Sequence, residues 1–204
     1  MIRTRTALAA LLLAAVSAAA FAQAPANPPV RIRGTVEKID GNNLTVKTAS
    51  GDTRTIKLAD NYGVMGVAKA GISDLTSGKF IGTTTVGERD GALVALEVHI
   101  FPENMRGTGE GHYDWDLRPE SKMTNANVAN VTSMGKDRVL TVQYKGGEKK
   151  VLVPENAVIV AFTPTDRSEL KPGAKIFTVA QRQPDGTLTA GRVNVGLKGQ
   201  VPPM

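Results

Sequence analysis

Residues 31–48 read Arg-Ile-Arg-Gly-Thr-Val-Glu-Lys-Ile-Asp-Gly-Asn-Asn-Leu-Thr-Val-Lys-Thr, and this stretch decides the fold. Two runs rich in β-branched residues flank Asp40-Gly41-Asn42-Asn43, whose residue types favour the positive φ angles of a tight hairpin turn. A second turn at Ser50-Gly51-Asp52 leads into a third predicted strand at residues 53–58. Further strands are predicted at residues 79–88 and 92–101. The first half of the chain is therefore predicted to consist of short β-strands joined by turns.

The second half of the chain repeats the first at an offset of about 95 residues. Leu44-Thr45-Val46 returns as Leu140-Thr141-Val142, and Asp90-Gly91-Ala92-Leu93 returns as Asp185-Gly186-Thr187-Leu188. The same kind of residue at each matched point indicates one supersecondary unit used twice. Strands of the second copy are predicted at residues 128–131, 139–144, 149–153, 175–181 and 188–195.

The strand count of each unit predicts its architecture. Five short strands, with one irregular or helical connection between the third and the fourth, match a small Greek-key barrel of the oligonucleotide/oligosaccharide-binding (OB) type. In the first copy that connection contains Gly63, Gly66 and Gly71. An SH3-like barrel or a β-sandwich gives similar strand spacing. The predicted fold is all-β, with two tandem OB-like barrels at 31–101 and 123–197, an irregular connection at 102–122 and a tail at 198–204.

The N-terminus has the pattern of an export signal. Arg3 and Arg5 precede an apolar run over residues 7–21, and small residues stand at Ala20 and Ala22. This arrangement predicts a cleaved signal peptide at 1–22, a disordered leader at 23–30 and a periplasmic location. No later stretch is long and apolar enough to form a transmembrane segment.

Composition excludes several function classes. The sequence has no cysteine, which excludes disulfides, lipid attachment through a cysteine and thiol catalysis. Without Arg3 and Arg5, 23 basic residues remain against 19 acidic residues, and no run of Lys or Arg occurs. Nucleic acid is therefore not expected as a partner. No G-x-S-x-G or H-E-x-x-H motif is present, and we expect a protein that is not an enzyme.

Three stretches carry a resemblance to a known group of proteins. Residues 34–46, the element Leu170-Lys-Pro-Gly-Ala-Lys-Ile176 and the closing run at 185–193 resemble uncharacterised bacterial exported proteins with repeated OB-like domains of unknown function. The resemblance covers both repeats, which is most of the chain after the signal peptide. It implies the fold and the compartment, and it offers no catalytic residues to carry over.

The segment at 102–122 has no counterpart in the repeat and holds the only Trp of the sequence. Large aromatic side chains are unusual in a flexible linker, and Tyr113 and Trp115 are costly to leave in water. In a structural interpretation, Trp115 fills the junction between the barrels, Asp114 and Asp116 cap turns, and His112 is exposed.

In a binding interpretation of the same segment, Tyr113, Trp115 and His112 contact a ligand. The polar groups that suit a divalent metal there are Glu110, His112, Asp114 and Asp116, with a further ligand required from elsewhere in the chain. The other histidine, His99, is expected to be an outward-facing strand residue beside Glu97.

The function predicted from these features is that of an exported, non-catalytic binding or adaptor protein. Its expected partner is an envelope protein, a glycan or a small ligand. The alternative is a metal-binding or metal-delivery module of the cell envelope, which would use the His112/Asp114/Asp116 segment and a divalent metal as cofactor.

Overall fold

A computed structural model describes residues 28–204, so the predicted signal peptide lies outside the described residues. The all-β prediction is confirmed: residues 28–204 form twelve strands and four short 3-10 segments. No helix in this part of the chain has the length and the apolar character needed to span a membrane.

The strands, in chain order, are β1 (Val30–Asp40), β2 (Asn43–Thr48), β3 (Thr53–Lys69), β4 (Phe80–Arg89), β5 (Ala92–Ile100), β6 (Gly111–Asp114), β7 (Lys122–Met134), β8 (Asp137–Tyr144), β9 (Gly147–Val153), β10 (Val158–Pro164), β11 (Lys175–Arg182) and β12 (Leu188–Gly196). The 3-10 segments are Ile72–Asp74, Glu103–Met105, Arg167–Glu169 and Leu197–Gly199.

Five strands from the two ends of the described chain close into one barrel, here called the split barrel. Its strand order is β12-β11-β1-β2-β3, and a parallel pairing of β12 with β3 closes the ring. Val30 lies opposite Ala180 across β1 and β11, and Leu188 lies opposite Ile56 across the closure. The interior is apolar, with Leu44, Val46 and Ile56 fully buried.

Five strands from the middle of the chain form a second ring, here called the continuous barrel. Its order is β5-β4-β7-β8-β9, and the parallel pairs Leu93 with Val151 and Val94 with Leu152 close it. Its interior is filled by alternate aliphatic side chains of these strands, as expected for a small barrel. All of its strands lie between residues 80 and 153.

The strand pairing differs from the predicted layout, in which one barrel at 31–101 is followed by a second at 123–197. Strands β4 and β5 pair with β7 and β9, whereas β11 and β12 pair with β1 and β3. Similar units present similar strand edges, so a strand pair can complete either ring, as in domain swapping. The segment at 102–122 contributes β6, which pairs with β7, instead of linking two finished barrels.

The two barrels are joined by the second half of β3 and by β10, which were not predicted as strands. The two strands pair with each other, with Phe162 opposite Val67, and β10 also pairs with β5. Gly66 suggested an irregular connection, since glycine weakens a strand. In the fold the position is closely packed, because a Cβ there would lie 2.7 Å from Leu197 Cδ1 and would require the leucine side chain to move.

A third group of apolar side chains lies between the barrels and is called the central cluster. Phe101 stands near its middle, with ring centroids 5.2 Å from Phe80 and 5.1 Å from Phe162. The contact between the two barrels therefore has a hydrophobic core that is separate from the two barrel interiors. Its buried members are Val67, Phe80, Phe101, Met105, Met123, Val160, Phe162, Phe177 and Met204.

Candidate functional site

A cavity of about 590 Å³ lies between the barrels, beside the central cluster. Both barrels and the connection between β5 and β7 contribute to its wall. The volume is within the range of ~300–1,000 Å³ that small-molecule sites occupy. Its apolar lining includes Phe101, Met105, Met123, Phe177, Val179 and Met204.

A buried carboxylate–imidazole pair stands on β5 at the cavity. Glu97 is 1% exposed and His99 is 3% exposed. Glu97 Oε1 accepts hydrogen bonds from Thr84 N at 3.1 Å and from Thr84 Oγ1 at 2.6 Å, and Oε2 lies 3.1 Å from His99 Nδ1. Both side-chain oxygens of Glu97 thus have partners, as buried polar groups generally do.

The His99 ring is held in place from several sides. Phe101 and Phe162 pack edge-on against it, with centroid distances of 5.0 and 5.4 Å. Gly82 lies beneath it on β4, and a Cβ there would stand 1.9 Å from His99 Nε2 and 2.4 Å from Asn125 Oδ1. Gly82 therefore makes room for the imidazole and the amide, which lie side by side.

The orientation of the Asn125 amide is fixed by its own donors. Asn125 Nδ2 donates to Thr108 O at 3.0 Å and to Tyr113 Oη at 3.3 Å. Asn125 Oδ1 is left as a buried acceptor without a partner. An unpaired acceptor of this kind is unusual in a folded protein.

Two more buried polar atoms at the cavity lack a partner: Trp115 Nε1, a donor, and Asn194 Oδ1, an acceptor. In residues 28–204, buried side-chain polar atoms without partners number four, and three of them belong to residues that line this cavity. Such concentration at an apolar cavity is the arrangement expected of a ligand site, where a few polar groups fix the ligand's orientation.

Apart from the Tyr113 phenol, the ionisable side chains that line the cavity are basic. Arg31 and Arg192 line it together with His99, whereas no Asp or Glu side chain of the described residues does. The Arg31 guanidinium lies 4.0 Å from the Trp115 ring centroid, a cation–π contact. A ligand here meets positive charge.

The structure places Tyr113 and Trp115, two of the residues named in the binding interpretation, at this cavity. Both are half-buried and pack on the central cluster, with their rings edge-to-face at 6.1 Å. Burial raises the pKa of the Tyr113 phenol, the positive charge of Arg31 acting in the opposite direction. One face of the Trp115 indole is covered by Arg31.

The His112 side chain lies on the face of β6 opposite to that of Tyr113, because side chains alternate along a strand. Its Nδ1 is 2.8 Å from Thr124 Oγ1, and its ring stacks on Tyr144 with a centroid distance of 6.4 Å. His112 is therefore partly buried, not exposed, and does not line the cavity.

The three acidic residues predicted to join His112 at a metal site have partners of their own. Glu110 Oε1 accepts from Lys145 N at 2.9 Å, and Asp116 Oδ1 accepts from Arg33 Nη2 at 2.7 Å. Asp114 pairs with Lys122, whose hydrogen bond and charge lower the pKa of the Asp114 carboxyl. No cluster of three or more potential metal ligands occurs within residues 28–204.

His99 was expected to face outward as an ordinary strand residue, and the structure contradicts this expectation. The alternation does turn His99 away from the interior of its own barrel, but the central cluster covers that face. Glu97, Asn125 and Asn194 were missed for the same reason. A single strand's periodicity shows which side chains share a face, not whether another barrel covers it.

Comparison with protein-family models, curated proteins and solved structures finds no match for this chain.

One prediction concerns the pH dependence of stability. Burial lowers the pKa of His112, and the charges of Lys149 and Lys122 lower it further. Since the unfolded chain then binds the His112 proton more readily, this residue favours the folded state above about pH 6.5 and ceases to do so as the pH falls through the folded-state pKa.

We therefore expect His112→Gln to lose less thermal stability than the parent between about pH 7.5 and pH 5. Melting followed by circular dichroism at both pH values measures the difference. All other ionisable groups are present in both proteins, so their contributions cancel to first order. Equal losses of Tm in the two proteins would contradict the role of His112.

Proposed function

We propose that this protein is a non-catalytic binding protein that holds a small organic ligand in the cavity between its barrels. The observation that carries the proposal is the set of three buried, unpartnered polar atoms on residues around that cavity. Leaving a buried polar group unpaired costs about 1–3 kcal/mol. A ligand with matching groups removes this cost, and its apolar body covers the aromatic and methionine side chains.

The proposal keeps the expected export to the cell envelope, for which the N-terminal sequence pattern is the support. It also keeps the OB-like description of the barrels. Around the split barrel, counting β11 and β12 as the fourth and fifth strands gives the order 1-2-3-5-4, with the third and fifth strands parallel. Counting from β7, with β4 and β5 as fourth and fifth, gives the same order around the continuous barrel.

The register supports the proposed repeat as well. Val158 lies opposite Glu97 where β10 meets β5, and Gly63 lies opposite Arg192 where β3 meets β12. Val158 lies about 95 positions after Gly63, and Arg192 lies about 95 positions after Glu97. This is the offset of the repeat seen in the sequence. On this reading His99 and Asn194 are equivalent positions, and both line the cavity.

The neutral, apolar dye N-phenyl-1-naphthylamine tests the proposal, because its emission rises in an apolar site. We expect saturable binding that is weakened at least about tenfold by Gly191→Phe, a loss of about 1.4 kcal/mol. Gly191 lines the cavity, its φ is not positive, and a Cβ there meets no atom within 4 Å. A phenyl group at this position can therefore occupy the entrance without displacing the fold.

Thr55→Phe is the matched control. It introduces the same side chain at an exposed position of β3, and Thr55 does not line the cavity. We expect it to bind the dye like the parent, with both variants within about 0.5 kcal/mol of the parent's free energy of unfolding. No saturable dye binding, or equal binding by the two variants, would refute the proposed site.

A further inference from the structure

The polar side chains of the cavity differ between its mouth and its floor. Arg192 is exposed and Arg31 is half-buried, so these guanidinium groups lie toward the mouth. The described residues place no ion-pair partner within 4 Å of Arg192, and the nearest contact of Arg31 with a carboxylate is 3.8 Å, to Asp116. Arg33, in contrast, is engaged with Asp116 at 2.7 Å and with Met204 O at 2.6 Å. The mouth thus offers positive charge to an incoming anion.

The floor has a different chemistry. Asn125 is 6% exposed, and its Oδ1 can only accept a hydrogen bond, because Nδ2 is already turned toward Thr108 O and Tyr113 Oη. His99 Nε2 lies beside it, since both atoms approach the same point above Gly82. The other ring nitrogen, Nδ1, is directed at Glu97. A polar group that reaches the floor therefore meets an acceptor and an imidazole nitrogen together.

A hydroxyl group is the simplest match for this pair. It donates to Asn125 Oδ1 and accepts from His99 Nε2 when that nitrogen carries a hydrogen; when it does not, the single hydroxyl hydrogen goes to one of the two acceptors. A carbonyl or ether oxygen has no hydrogen for Asn125 Oδ1. An ammonium group would have no acceptor role and would enter a cavity whose lining contains arginine and no acidic side chain.

From the chemistry at the mouth and at the floor of the cavity we infer the ligand class: a small organic anion with an apolar body that carries a hydroxyl group remote from its anionic group. The anionic group lies at the mouth near Arg192 and Arg31, the body packs on Phe101, Phe177 and methionine side chains, and the hydroxyl reaches Asn125 and His99. This inference rests on the proposed function, because it specifies what the same cavity binds.

Three probes of similar size separate the two requirements. The first is 4-hydroxyphenylacetate, which has both groups; phenylacetate lacks the hydroxyl, and 4-hydroxyphenylacetamide lacks the charge. Displacement of bound N-phenyl-1-naphthylamine from the full chain gives their relative affinities. We expect 4-hydroxyphenylacetate to bind about tenfold or more tightly than either analogue, since each analogue leaves one end of the cavity unsatisfied.

Arg192→Gln tests the mouth separately. We expect it to weaken 4-hydroxyphenylacetate at least about fivefold while leaving the affinities for the neutral amide and the dye within about twofold of the parent. Arg54→Gln is the matched control: Arg54 is also exposed on a strand, but it does not line the cavity. It should change no affinity.

The outcomes distinguish the two levels of the proposal. If the dye binds and Gly191→Phe blocks it, but the three probes displace it equally or the amide is strongest, the ligand class is wrong and the binding function stands. If Arg192→Gln weakens all probes and the dye alike, the charge does not select the ligand and the inference also fails. If the dye does not bind at all, the proposed function itself is refuted.

Discussion

Glu97→Leu is expected to lower the free energy of unfolding by about 3–5 kcal/mol, because it leaves up to three buried polar groups unpaired at about 1–3 kcal/mol each. The leucine side chain offers no acceptor to Thr84 N, Thr84 Oγ1 or His99 Nδ1, which all lie against the carboxylate of Glu97. Water cannot replace the carboxylate freely, since Glu97 is 1% exposed and Thr84 is fully buried. Urea unfolding followed by circular dichroism measures the loss.

Two comparisons isolate the cause. Glu88→Leu makes the same chemical change at an exposed position of β4 and should stay within about 0.5 kcal/mol of the parent. Glu97→Gln keeps one acceptor oxygen and should lose less than Glu97→Leu. If Glu97→Leu unfolds at the same urea concentration as Glu88→Leu, the carboxylate does not stabilise the fold and the interpretation of the pair is wrong.

Phe162→Ala is expected to cost about 3–5 kcal/mol, because it leaves a void where the two barrels meet. Phe162 is 8% exposed, lies opposite Val67 at the join of β10 and β3, and contacts the rings of Phe101 and His99. The surrounding side chains belong to both barrels, so their collapse into the void would require movement of one barrel against the other.

Val158→Ala is the control on the same strand, since Val158 is 44% exposed. It should cost well under 1 kcal/mol. Calorimetric melting of the two variants compares them under identical conditions. A Phe162→Ala protein that melts within about 2 °C of Val158→Ala would show that the central cluster contributes little to stability.

Turn chemistry accounts for what the sequence predicted well. Asp40 ends β1 and Asn43 begins β2, as the turn residues between them indicated, and Gly41 has the positive φ of 56° that the turn needs. These predictions succeed because a tight turn and the alternation beside it are local properties of the chain. The all-β class follows from them.

The pairing of the barrels could not be predicted in the same way. Whether β1 accepts β4 or β11 as its neighbour depends on two edges with similar residue patterns, and local sequence does not choose between them. The cavity could not be predicted from the sequence either, because it forms only where the two barrels meet. Tyr113 and Trp115 could be named as candidates because large aromatic residues are unusual in a connection. Asn125 and Asn194 have the pattern of ordinary polar strand residues, and only the meeting of the barrels brings them to the cavity.

The division of strands between the barrels also orders the events of synthesis. A ribosome releases every strand of the continuous barrel once residue 153 has emerged, whereas the split barrel waits for residues 175–196. Until then, β1 and β3 have unpaired edges, and exposed edges of this kind invite wrong pairing with other chains. Closing a ring across about 145 residues of sequence also gives the fold a high contact order, which slows folding. Strands β1 and β3 are thus synthesised early, but their pairing is complete only after β11 and β12 have been made. During that interval β1 and β3 are the strands at greatest risk of aggregation.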